Sequence, residues 1–222
     1  MFKEYLKRLI VCILGLILFG FGNFFGVMAG SAGTNAWNTL ALGVSGISGI
    51  SFGMAVFLIS LVIIVIDVIG KGKLGFGTIF NVILISLFSD IFLDILNFVP
   101  VPSNAFTGAV FTMIGQIIIS FATILYMKPA LGCGPRDALM IIIGRKFPEV
   151  PIGIVKFFIE VLALVAGFML GAPFGVGTVL VMVSQASIFQ FVCRICKYDP
   201  RKIEHEDVID TCKRIGGYWS EA

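Results

Sequence analysis

Ionisable side chains are rare inside the apolar stretches of this chain, and those present come in close sets. Lys156 and Glu160 lie four residues apart in an otherwise apolar run, so a helix there carries both on one face. Arg136 and Asp137 open a short apolar stretch directly behind Gly132, Gly134 and Pro135. Asn35 and Asn38, with Trp37 between them, open a second short stretch in the same way. Asn81, Asp90 and Asp94 share a third run, Gln116 interrupts another, and Gln190 lies in the last. Ionisable groups at membrane depth are costly, face the bundle interior and find partners, so they mark solute or proton paths. In that chemistry Arg136 engages an anionic group, Asp137 and Glu160 a cationic group or a proton, and Asn38, Asn81 and Gln190 supply hydrogen bonds. Asn35, Trp37, Asp90 and Lys156 complete the candidate binding set.

Each candidate also has a bland reading. Asn and Asp at the start of a helix cap it, although Asn38 and Asp137 sit slightly inside the two short stretches. Lys156 can snorkel toward a membrane surface, and Asp94 falls near the end of its run. Glu160 is deeper. Cys193, Cys196, His205 and Cys212 could be drawn as a zinc site, but their spacing is irregular and the first pair ends an apolar run. His205 is the only histidine, and no nucleophile elbow, phosphate loop or paired-histidine motif occurs. The residues therefore point to no metal, no cofactor and no enzyme chemistry.

The elements that must hold these residues are membrane helices. Of 222 residues 58% are apolar and 13% charged, with a mean hydropathy of +1.05, whereas soluble domains carry roughly a quarter charged residues. Apolar runs place spanning helices over about 9–29, 52–69, 77–99, 106–128, 151–171 and 177–197. The run at 9–29 is longer than a secretory hydrophobic region and is expected to be a retained first helix. The short stretches 35–47 and 135–145 cannot cross at 1.5 Å per residue.

With six crossings and a cytoplasmic N-terminus, Lys71, Lys73, Lys128, Arg136, Arg145, Lys146, Arg194, Lys197, Arg201 and Lys202 all fall inside, while the loops near 30–49, 100–104 and 171–173 carry no Lys or Arg. Counting the short stretches as spans gives eight crossings and puts Lys71 and Lys73 outside, against the same bias. The net charge of +3 is thus a topology signal, and no nucleic-acid partner is expected. Residues 198–222 read as a cytoplasmic tail with one short helix over 203–214. Five cysteines, with none in the external loops, make a disulfide framework unexpected.

An offset of about 100 residues superposes Gly53 on Gly153, Phe57 on Phe157, Gly75 on Gly175, Gly77 on Gly177 and Thr78 on Thr178. With a slip of one residue, Gly33 to Leu40 aligns with Gly132 to Leu139. Each half, 1–99 and 104–197, then has a long helix, a glycine-rich break, a short re-entrant helix and two more long helices. Three crossings per half invert the second half relative to the first, a recurring way to build a transport site. Duplication for bundle stability alone is the competing reading, and Gly15, Gly20 and Gly22 are expected to serve close helix packing.

This pattern resembles the YczE/YitT-type family of bacterial six-helix membrane proteins, and its YczE branch in particular. The stretch Gly132-Cys133-Gly134-Pro135-Arg136-Asp137-Ala138-Leu139-Met140 carries the resemblance most specifically. Gly153, Lys156, Ile159-Glu160, Gly175-Val176-Gly177-Thr178 and Gln190 add to it. In the first half Gly33 to Leu40, Ser51-Phe52-Gly53, Leu74-Gly75-Phe76-Gly77-Thr78, Asn81 and Asp90 do the same. The family's first break commonly has a Ser-Pro-Trp-Asp-like stretch, where this chain has Asn35-Ala36-Trp37-Asn38, and Lys156 stands where the family tends to show Arg. The resemblance implies a multi-pass bacterial plasma membrane protein and no particular substrate.

Two functions are expected from these readings. One is a transporter or facilitator of a small polar or anionic solute, proton coupling included. The other is a non-transporting membrane partner or assembly factor for another membrane or biosynthetic complex. The expected partners are the lipid bilayer and a small-molecule solute, with homo-oligomerisation left open.

Overall fold

A computed structural model describes residues 2–72, 74–150, 152–198 and 206–208. The described residues form eight α-helices and no strand: α1 (Phe2–Met28), α2 (Ala36–Ser48), α3 (Phe52–Ile69), α4 (Phe76–Ile95), α5 (Ala105–Met127), α6 (Pro135–Lys146), α7 (Ile152–Met169) and α8 (Val176–Ile195). Of these, α1, α3, α4, α5 and α8 are long and apolar enough to cross a membrane. Helix α7 is 18 residues long, carries Lys156 and Glu160, and is not among those five. The expected helix over 203–214 falls almost wholly outside the described residues.

Two boundaries differ from the sequence reading. Helix α1 begins at Phe2 rather than at the apolar run, because Lys, Glu, Arg and Leu are all good helix formers and nothing in residues 2–8 stops the chain. Helix α4 stops at Ile95, and Leu96 to Val99 turn before Pro100, since the residue preceding proline is pushed out of the helical region.

The surface of the bundle is inverted relative to a soluble protein. Ile69, Phe106, Leu162, Met169 and Val183 are each more than 65% exposed, while Asn23, Asn38, Asp67, Thr78, Ser89 and Thr178 are fully or almost fully buried. That distribution suits lipid outside and polar contacts within. Asn23 of α1 donates to Ser89 Oγ of α4 at 2.9 Å, one such contact between helices.

Small residues let the long helices approach closely. Helix α1 packs on α5 and α4, α5 on α8, α2 on α7, and α3 on α4. A Cβ at Gly15 would lie 2.6 Å from the Tyr126 amide nitrogen, and one at Gly20 would lie 2.8 Å from Phe88 Cβ. The expected packing role of these glycines is what the structure shows.

The two breaks occupy matched surroundings. After α1 the chain makes a 3-10 turn over Gly30–Ala32, and Gly33, at φ 76°, lies against Thr178 and Gly175 at the start of α8. After α5, Gly132, at φ 131°, lies against Gly75 and Thr78 at the start of α4. Such φ values and contacts exclude a side chain at either position. Gly77 N–H donates to Leu131 O at 2.7 Å, Thr78 Oγ1 to Cys133 O at 2.7 Å, and Thr112 Oγ1 to Gly33 O at 2.7 Å. Backbone groups freed by the breaks are thereby answered inside the protein.

Gly53 and Gly153, counterparts at the 100-residue offset, have opposite environments. A Cβ at Gly53 would collide with Ser86 O and come within 2.6 Å of Asp90 Cγ, whereas one at Gly153 would meet nothing within 4 Å. Gly53→Ala is expected to destabilise the bundle by about 1–3 kcal/mol through overpacking. Gly153→Ala should be neutral or slightly stabilising. Thermal unfolding in detergent checks this, and equal melting of the two variants would contradict the α3–α4 packing.

Candidate functional site

The short helices begin in the same place. Helix α2 starts at Asn35, whose Oδ1 accepts the Asn38 N–H at 3.0 Å, and α6 starts at Gly134 with Pro135 in its first turn, where the missing N–H costs nothing. The guanidinium of Arg136 lies over the Trp37 ring, 4.7 Å from its centroid. These two residues are counterparts across the aligned breaks, so matched positions meet directly at the helix starts.

Around that contact is a cavity of about 510 Å³, within the usual range of small-molecule sites. Asn35, Trp37, Asn38, Asn81, Arg136, Asp137, Lys156 and Glu160 all line it. Glu160 is 8% exposed; Gln185 of α8 donates to its Oε2, and Lys156 Nζ lies 3.9 Å from its Oε1. Asp137 Oδ2 accepts the Tyr126 hydroxyl at 3.2 Å. Asn35 acts as the N-cap, while Asp137 does not.

Arg136 stands apart. Among the described residues the ion pairs are Arg8–Glu206 and Lys156–Glu160, and neither involves it. Its guanidinium is within electrostatic reach of Asp137 and Glu160 but closes on neither, so its fork of N–H donors is open to the cavity.

Two candidates lie elsewhere. Asp90 is not in the cavity: Oδ1 accepts the Gly53 N–H at 2.6 Å and Oδ2 accepts the Ser51 hydroxyl, tying α4 to the first turn of α3. That is N-terminal capping from a neighbouring helix. Gln190 is exposed on α8, about 140° around the helix from Gln185 at 100° per residue. The polar reach of α8 into the cavity comes from Gln185 instead.

Several lining residues were not in the candidate set. Ser60, Tyr126 and Gln185 line the cavity together with Gln116. Ser60 could have been found, since it is the counterpart of Glu160 at the 100-residue offset. Asp67, also outside the set, is fully buried in α3 away from the cavity, with neither carboxylate oxygen hydrogen-bonded. Cys193 is buried and Cys196 partly so, while His205 and Cys212 lie outside the described residues.

A family model described as a family of unknown function, DUF6198, matches residues 6–194. The chain belongs to that family. An uncharacterized protein of Haemophilus influenzae is 34% identical over 189 residues, covering 85% of this chain and 84% of the relative. The uncharacterized membrane protein YczE of Bacillus subtilis is 25% identical over 191 residues, covering 85% and 86%. The YczE-type resemblance seen in the breaks thus extends over the whole helical region. No solved structure matches the chain.

Asp90→Asn is expected to destabilise the protein by about 1–3 kcal/mol, because it weakens charge-assisted acceptance from Gly53 and Ser51. Gln190→Ala should change stability by less than about 0.5 kcal/mol. Chemical denaturation in mixed micelles measures both, and an unchanged Asp90→Asn would remove its capping role.

Proposed function

We propose that this chain is a bacterial inner-membrane transporter or facilitator of a small polar or anionic solute, with its termini in the cytoplasm. On this reading α7 is a sixth crossing, α2 and α6 are re-entrant, and the halves 1–99 and 104–197 are inverted repeats followed by the tail 198–222. The observation that carries it is the cavity at which both short helices begin and where Trp37 meets Arg136. Inverted repeats with interrupted helices hold their solute at such helix starts, whose positive dipole ends favour anions. Matched closure of Gly33 by the start of α8 and of Gly132 by the start of α4 supports the repeat. The absence of Lys and Arg from the loops near 30–49, 100–104 and 171–173 supports the orientation.

In this arrangement Arg136 holds the solute's negative group, and Asn38, Asn81 and Gln116 border it with amides. Glu160, held by Gln185 and Lys156, is the residue placed to exchange a proton with the cavity. The reading as a non-transporting partner has no comparable feature: the tail contacts described here, Arg8 and Tyr5 with Glu206, are made within the chain.

Purified protein reconstituted into liposomes is expected to accumulate a radiolabelled solute found by screening organic anions and neutral polar solutes. Arg136→Ala should reduce initial uptake roughly tenfold or more, the loss of one charged contact. Glu160→Gln should remove any dependence on an imposed proton gradient. Parent-like uptake by both variants, for a confirmed substrate, would sink the site assignment, and no uptake across the screen would sink the transport reading.

A further inference from the structure

Building on the cavity assigned above, we infer that the group it recognises is a single carboxylate carried on a small apolar body. Every other charge lining the cavity is already engaged. Glu160 is held by Gln185 and Lys156, and Asp137 accepts from Tyr126. Among the described residues of the cavity Arg136 alone offers an open fork, and the ring of Trp37 lies beneath its guanidinium. A planar fork with its edge free fits the two oxygens of a carboxylate through parallel N–H···O bonds.

The charge count narrows the class. Lys156 is paired with Glu160, so a monoanion brings one negative charge to Arg136, the lining cation without an ion pair among the described residues. A phosphate monoester would bring nearly two beside two existing carboxylates, which Coulomb repulsion disfavours in a site of low dielectric. A zwitterion would need an unengaged carboxylate for its ammonium group, and neither Asp137 nor Glu160 is one. Phe19, Val56, Ile85, Ile159 and Phe189 form apolar wall in the same cavity, which accepts a hydrocarbon body.

The test uses the full-length chain in lipid nanodiscs, with Trp219→Phe so that Trp37 is the remaining tryptophan and its fluorescence reports on the Arg136 contact. The probes share one body: hexanoate, hexanol, hexylamine and hexyl phosphate, each corrected for partition into empty nanodiscs. Hexanoate is expected to give a saturable change and to bind roughly tenfold or more tighter than the other three. Arg136→Lys should weaken it by a similar factor because the charge stays and the fork is lost, while Gln190→Ala leaves it unchanged.

No binding of hexanoate, equal binding of hexanol or hexylamine, a preference for hexyl phosphate, or binding that survives Arg136→Gln would each overturn the inference. Should the Arg136 variants fail to fold, competition among the four probes on the parent protein decides. Hexanoate bound but never taken up into liposomes would sink transport and leave this inference standing. Uptake confined to non-carboxylates would do the reverse.

Discussion

A helix that stops within a bilayer leaves N–H and C=O groups that lipid cannot serve, at several kcal/mol each. Two helix breaks shape this bundle, and what answers their backbone groups decides where everything else lies. Gly77 N–H and the Thr78 hydroxyl close the break before α6, and the Thr112 hydroxyl closes the one before α2. Gly75 and Gly175 matter because a Cβ there would sit within about 2.7 Å of, or collide with, the break carbonyls at Leu131, Ser31 and Ala32. The starts of α4 and α8 are therefore seats for the breaks. The breaks in turn place the beginnings of α2 and α6, and those beginnings define the cavity.

Energetics distinguish the two cations of that cavity. A charged side chain at the centre of a membrane helix costs about 2.5–3.5 kcal/mol on insertion scales. Lys156 is half-exposed and paired with Glu160, so its share of that cost is small. Arg136 has a cation–π contact, which supplies on the order of 2 kcal/mol when desolvated. Asp137 and Glu160, within electrostatic reach, offset part of the remainder, and on the transport reading a solute's oxygens add to it. A fully paired arginine would stabilise the fold more and recognise less. On the transport reading, leaving the fork open puts stability second to recognition, as strained or incomplete local chemistry commonly does at functional sites.

Much of this could be read from the sequence because lipid makes its demands locally. Six long apolar runs, two short ones and a matched set of glycines follow from length and hydropathy, and the helices lie where those runs predict to within a few residues, the first turns of α1 apart. The contents of the cavity were harder. Arg136, Asp137, Lys156 and Glu160 stand out as charges in apolar surroundings, a signal any single sequence carries. Gln185 against Gln190 is a question of helix rotation, which the apolar pattern of α8 does not settle when lipid, protein and cavity all accept Val, Ile and Phe. Asp90 looked like a buried acid of the same kind as Glu160. Only the distance between α3 and α4, set by Gly53, shows that it serves a backbone.

On the repeat reading, the lopsided site has a cause. Trp37, Asn38, Val56 and Ser60 of α2 and α3 line the cavity together with their counterparts Arg136, Asp137, Lys156 and Glu160 of α6 and α7. That reading keeps backbone symmetry where breaks and glycine seats demand it and leaves the side chains, under no such demand, free to differ as a neutral set and a charged one. On the transport reading this division has a mechanical use. A solute held by α6 and α7 needs no charged contact with α2 and α3, so an uncharged wall can slide past it without breaking an ion pair at each step. Breaking a buried charged contact on every cycle would add several kcal/mol to the barrier, and a carrier whose cavity charges all sit on one half avoids it.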